Sequence, residues 1–108
     1  MDIRRIDDTL SVTSQIAPEA LPEIAAQGFR AIICNRPDGE GADQPPFAVI
    51  AAAAEAAGLT ARYIPVVSGA MTAGDVSAFA AARQELPAPV LAYCRSGARS
   101  TALANAAG

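Results

Sequence analysis

Apolar positions along the chain fall into short runs of two kinds. The segments "FRAIICN", "ARYIPV" and "APVLAYC" are rich in branched and apolar residues and are bounded by glycine, proline or polar residues, which predicts buried strands. Two further short runs, "IRRID" and "LSVTSQ", predict strands joined by the turn "DDT". Elsewhere the apolar residues recur at helical spacing. "PEALPEIAAQG" places Leu21, Ile24 and Ala25 on one face, with proline and glutamate near its start and Gly28 at its end. "FAVIAAAAEAAG" is a helix stopped by Gly58, and "ARSTALANAA" is the last one. "TAGDVSAFAAARQEL" opens on Thr72, with Asp75 three residues on, close to a capping box; Val76, Phe79, Ala80 and Leu86 give it one buried face. Between them, "RPDGEGADQPP" is a loop of turn formers.

The resulting order is β-β-α-β-α-β-α-β-α. It predicts an α/β fold, a three-layer sandwich around a mostly parallel sheet of about five strands with right-handed crossovers. The 108 residues are enough for one domain, 1–108, with one core. Sites in such sheets lie outside the carboxyl ends of the strands. Cys34 and Cys94 each stand at such an end.

Composition narrows the chemistry. About half the residues are apolar, which argues against disorder, and the net charge of −3 argues against a nucleic-acid partner. There is no histidine, so Ser-His and Cys-His catalysis and most zinc sites are excluded within this chain; neither metal nor cofactor is expected. Two distant cysteines do not make a disulfide scaffold. "MDIRRIDDTL" has no apolar signal core, and "FAVIAAAAEAAG" is too short to span a membrane, so the expectation is a soluble, cytoplasmic domain without a membrane partner.

Charge is unevenly spread. From Leu86 to Gly108 no residue is acidic, yet Arg95 and Arg99 lie there beside Cys94. In Cys94-Arg95-Ser96-Gly97-Ala98-Arg99-Ser100 a strand delivers a cysteine and a helix begins just after it. Backbone N–H groups from Arg95 to Ser100 then form an anion nest at a helix N-terminus, and the same field favours thiolate over thiol. Gly97 permits the positive φ a tight loop needs. Arg99 can bond an oxyanion through two parallel N–H groups. Ser100 can bond the thiolate or cap the helix.

"YCRSGARS" resembles the active-site loop of the rhodanese and cysteine-phosphatase group. With "GFRAIICNRPDGE", "QPPF", "AAAEAAGL", "YIPVVSG" and "PVLAYCRSGARS", nearly the whole chain is similar to the phosphatase-like domain of beta-lactamase-hydrolase-like proteins, formerly domain of unknown function 442. That resemblance implies a dual-specificity-phosphatase-like fold. Some proteins of this family join the domain to a persulfide dioxygenase of metallo-β-lactamase type, which implies such a partner in trans and a link to sulfide oxidation. Members are described both as phosphatases and as sulfurtransferases.

Loop length separates these activities. The phosphatases carry five residues between cysteine and arginine; here four separate Cys94 from Arg99, the rhodanese spacing. Tyr93 replaces the histidine that precedes the phosphatase cysteine. The loop "VVSGAMTAGD" offers no early aspartate as general acid. The expected reaction is therefore sulfur transfer from a small anionic donor, thiosulfate or a persulfide, to a thiol acceptor through a Cys94 persulfide. The alternatives are a phosphatase acting on a phosphorylated substrate through phosphocysteine, and a non-catalytic anion- or partner-binding domain.

Secondary candidates surround this loop. Asn35, Arg36, Asp38, Glu40 and Ser68 are candidate pocket walls, with Asp38 a displaced general acid in the phosphatase reading. An Asp-Gly turn and an Arg36 ion pair account for the same residues structurally. Cys34 reads by default as a buried-strand cysteine and, if it ends beside Cys94, as a candidate resolving thiol, although disulfide geometry is strict. Tyr63 and Tyr93 read as sheet residues, Phe47 as core or rim, and Ser68, Gly69 and Met71 as a candidate substrate or partner surface.

Overall fold

A computed structural model describes residues 1–108. The strands are β1 (Arg4–Arg5), β2 (Leu10–Thr13), β3 (Ala31–Cys34), β4 (Thr60–Tyr63) and β5 (Val90–Tyr93). The helices are α1 (Leu21–Ala26), entered through one 3-10 turn at Pro18–Ala20, α2 (Phe47–Ala56), α3 (Ala73–Glu85) and α4 (Ala98–Ala107). The predicted order holds throughout. β1 is shorter than the sequence suggests, because its neighbour Ile6 turns back to pack against the core.

The sheet order is β1-β2-β5-β3-β4; only β1 runs antiparallel. β2, β3 and β5 are buried at every position, which is why they read as continuous apolar runs rather than alternating ones. Alternate residues feed two cores. Leu10, Val12, Ile33 and Ala92 meet Phe79 and Ala82 of α3 and Leu103 of α4. Ile32, Cys34, Leu91 and Tyr93 meet Leu21 and Ile24 of α1 and Ile50 and Ala54 of α2. This is a sandwich of three layers, as the strand–helix alternation implies.

Local signals act where expected. The Thr72 hydroxyl accepts from the Asp75 N–H and the Asp75 carboxylate accepts from the Thr72 N–H, a complete capping box. Among these elements β5 does most to position a site. It is central, so the carboxyl ends of β2 and β3 flank its own.

Candidate active site

The chain leaves β5 at Tyr93 and enters α4 at Ala98, so Cys94–Gly97 must turn sharply. Gly97 sits at φ +92, in the left-handed region that a side chain disfavours. The turn brings its N–H to 3.1 Å from Cys94 Sγ, and the N–H groups of Ser96, Arg99 and Ser100 also bear on the sulfur. Burial raises the pKa of this thiol, but those four backbone donors outweigh it and leave the group below its ordinary value. Two expectations are corrected here. The Ala98 N–H turns instead to the Ser96 hydroxyl. The Ser100 hydroxyl donates to Asn35 Oδ1 at 2.8 Å and neither caps α4 nor bonds the thiolate; only its backbone N–H serves the sulfur.

Asn35 is fully buried and therefore lines no pocket, contrary to its candidate role as a wall. It ties the site together. Its side chain donates to the Ile64 carbonyl and accepts from Ser100, its N–H donates to the Tyr93 carbonyl, and its carbonyl accepts from Val66. The ends of β3, β4 and β5 and the start of α4 thus meet on one side chain and its backbone, with every polar group paired.

Arg99 stands across the loop. Nη1 donates to Glu40 Oε2 at 2.8 Å and to the Val66 carbonyl at 2.9 Å, and Nη2 donates to Glu40 Oε1 at 2.7 Å. Glu40 also takes Arg36 Nε at 3.0 Å, and Arg36 Nη1 reaches Gln15 Oε1 at 3.1 Å. One carboxylate therefore bridges two guanidiniums. Arg99, then Arg36, holds the Glu40 carboxyl below the usual carboxylate range, against some burial. Glu40 in turn holds Arg99 above its ordinary value, with a smaller contribution from the Cys94 sulfur. A guanidinium has five N–H groups in a rigid fork. Three are engaged in these bonds; Nε–H and the second Nη2–H share the remaining edge, left for the thiolate and for whatever sits over it.

A cleft of about 610 Å3 opens here, lined by Gln15, Arg36, Glu40, Asp43, Arg95 and Arg99 among others, with Ser68 on its wall. Arg36, Glu40, Ser68 and Arg95 are thus brought together as the sequence suggested. Asp38 is not. Its carboxylate accepts from the Phe47 N–H at 2.8 Å, at the start of α2, while its own N–H donates to the Tyr63 hydroxyl. It serves the helix start rather than the cleft. Gly69 and Met71 line a second recess of about 460 Å3 with Val67, Ala98 and Ala102, which shares Arg99 with the cleft. Phe47 stacks on Tyr63 at 4.8 Å, as a core-edge pair.

Cys34 is a buried strand residue, the plainer of its two readings. In the sheet it is level with Tyr93, one residue short of Cys94, and packs with Tyr93 on the α1–α2 side. Cys94 lies just beyond β5, at the start of the turn into α4, where its sulfur meets the loop N–H groups instead. The Cys34 thiol donates to the Arg36 carbonyl at 3.3 Å, and burial raises its pKa. Both cysteines are free.

Sequence reasoning missed four neighbours. Gln15 orients Arg36, Asp43 and Gln44 line the cleft, and Arg4 donates to the Ser96 carbonyl at 3.0 Å from the back of the loop. The charge of Arg4 was visible in the sequence, but no local signal links it to a loop near the other end of the chain.

A model of the family described as "Beta-lactamase hydrolase-like protein, phosphatase-like domain" matches residues 2–107. A beta-lactamase hydrolase-like protein of Agrobacterium fabrum is 38% identical over 99 residues, covering 92% of this chain and 23% of that protein. The chain spans about a quarter of the length of the curated relatives it matches. A crystal structure from Neisseria meningitidis, described as a "putative phosphatase", superposes with a TM-score of 0.89 at 38% identity, covering 95% of this chain and 73% of that one. The core catalytic domain of a PP-IP phosphatase from S. cerevisiae shares the fold at 13% identity, with a TM-score of 0.70, covering 95% of this chain and 62% of that one.

Proposed function

The chain belongs to the family of the phosphatase-like domain of beta-lactamase hydrolase-like proteins, and from that membership we propose that it hydrolyses phosphate monoesters through a phosphocysteine at Cys94. The observation that carries this reading is the convergence of four backbone N–H groups and the open edge of Arg99 on a single sulfur. The Cys94 thiolate attacks phosphorus, the bond from phosphorus to the leaving oxygen breaks, and that oxygen takes up a proton. Loop amides and Arg99 offset the charge on the non-bridging oxygens. Water then attacks phosphorus, the P–S bond breaks, and inorganic phosphate leaves the thiolate restored. Glu40 holds Arg99 by its outer edge and so presents the inner one.

Sulfur transfer is the second reading, and one observation favours it: only four residues separate Cys94 from Arg99, so the ring is tight. In that reaction the thiolate attacks the outer sulfur of thiosulfate, the S–S bond breaks and sulfite departs with its electron pair. An acceptor thiolate then takes the sulfur from the Cys94 persulfide. Sulfite needs no proton to leave, so no acid is required. The descriptions of the family and of the Neisseria structure favour the phosphoryl reading over this one.

One experiment separates them. The reduced protein is mixed with an aryl phosphate or with thiosulfate, quenched in acid, and its intact mass taken beside Cys94→Ser. A phosphoryl adduct on Cys94 with steady phosphate release supports the hydrolase. An adduct of one sulfur, removed by glutathione or cyanide, with no turnover of aryl phosphate, replaces it with the transferase.

A further inference from the structure

The leaving oxygen of an unactivated phosphate ester must gain a proton as its bond breaks, and a positioned acid contributes a large factor. The chain has no histidine, so a carboxyl group is the natural donor. Each carboxyl near the site has a visible occupation except one. Asp38 receives the Phe47 N–H at the start of α2. Asp75 is locked into the capping box of α3 and does not line the cleft. Glu40 bridges Arg36 and Arg99, which hold it as a carboxylate. Asp43 alone among these lines the same cleft as Arg95 and Arg99 while exposed to solvent and outside every ion pair of the chain.

We propose that Asp43, on the loop between β3 and α2, is the general acid of the phosphatase reaction: its carboxyl gives a proton to the leaving oxygen as Cys94 takes the phosphoryl group, and the resulting carboxylate takes a proton from the water that hydrolyses phosphocysteine. The inference rests on the hydrolase reading. It places the acid on the loop that also carries Glu40, two residues beyond Gly41, so one segment both orients the anion-binding arginine and serves the leaving group. The substrates implied are esters of poorly acidic alcohols or phenols, which depend on such an acid.

The test uses aryl phosphates of graded leaving-group acidity. For Asp43→Asn, kcat/KM on phenyl phosphate should fall about a hundredfold or more, while on dinitrophenyl phosphate, whose leaving group needs no proton, it should fall only ~3-fold. Asp43→Glu should recover part of the phenyl phosphate rate. Equal losses across the series, or no loss in a wild type that turns over phenyl phosphate, would overturn the assignment while leaving the hydrolase reading in place. A wild type that turns over no aryl phosphate removes both. Because Asp43 is exposed and isosteric with asparagine, an unchanged thermal melt for the variant excludes misfolding as the cause of a selective loss.

Discussion

Cys34 and Cys94 end neighbouring parallel strands, and both are nearly sealed from solvent, at 2% and 1% exposure, yet their thiols are driven in opposite directions. Cys34 is followed by a bend and a loop with no helix, and its sulfur meets a carbonyl and the Tyr93 phenol among apolar neighbours. Burial there outweighs the Tyr93 hydroxyl that opposes it. Cys94 is followed by a turn into α4, and its sulfur meets N–H groups. Position at a strand end and depth of burial are therefore not what make a cysteine reactive; the direction of the next few peptide groups is.

The strongest way to break this contrast is to exchange each sulfur for oxygen. Cys94→Ser should abolish turnover and adduct formation, whereas Cys34→Ser should retain turnover within about threefold, because its sulfur bonds the Arg36 carbonyl among apolar side chains and not the loop N–H groups. Loss of turnover in both variants would refute the assignment of separate roles. Next in size is selective labelling. With iodoacetamide near neutral pH, Cys94 should react at least ~100-fold faster than Cys34, which should label only after denaturation; peptide mapping reads the two sites separately. The Cys94 rate should rise with pH and level off below the ordinary thiol range.

A smaller effect should come from Gly97→Ala. Its φ of +92 costs a side chain about 1–2 kcal/mol, and the new Cβ would point into the Arg4 guanidinium. Urea denaturation should show a loss of that order, and Cys94 labelling should slow while Cys34 stays protected. Smallest is the pH dependence of stability. The folded pKa of Cys94 is lowered, so its contribution is full above the unfolded thiol value, about 8.5, and is lost as pH falls through the folded value. The folded pKa of Cys34 is raised, so its contribution is full below that unfolded value and is lost as pH rises through the folded one. From about pH 7 to 10, the stability of the wild type relative to Cys94→Ser should increase, and relative to Cys34→Ser decrease. Slopes of the same sign would mean that the two environments do not differ as described.

Much of this site is local and was legible as such. The strand–cysteine–glycine–helix sequence specifies the nest, and branched runs alternating with helical spacing specify the layers around it. Thr72 and Asp75 declared their cap three residues apart. What escaped the sequence is the pairing between elements. Asn35 and Ser100 are 65 positions apart, and Glu40 and Arg99 are 59. Nothing local distinguishes a glutamate that will bridge two arginines from one that will face solvent. Asp38 shows the converse: an Asp-Gly pair signals a turn, but the helix start its carboxylate serves lies nine residues on.

The sheet order carries a consequence for how the protein comes into being. Val90 pairs with both Leu10 and Ala31, so the central strand is the fifth of five to leave the ribosome. Until it arrives, the β1–β2 hairpin and the β3–β4 pair are two half-sheets with open inner edges, prone to pairing with other chains. Such distant pairing closes slowly. The strand that closes it also delivers Cys94, so the reactive thiolate appears in the same event that completes the core. A nascent chain halted short of Val90 carries neither.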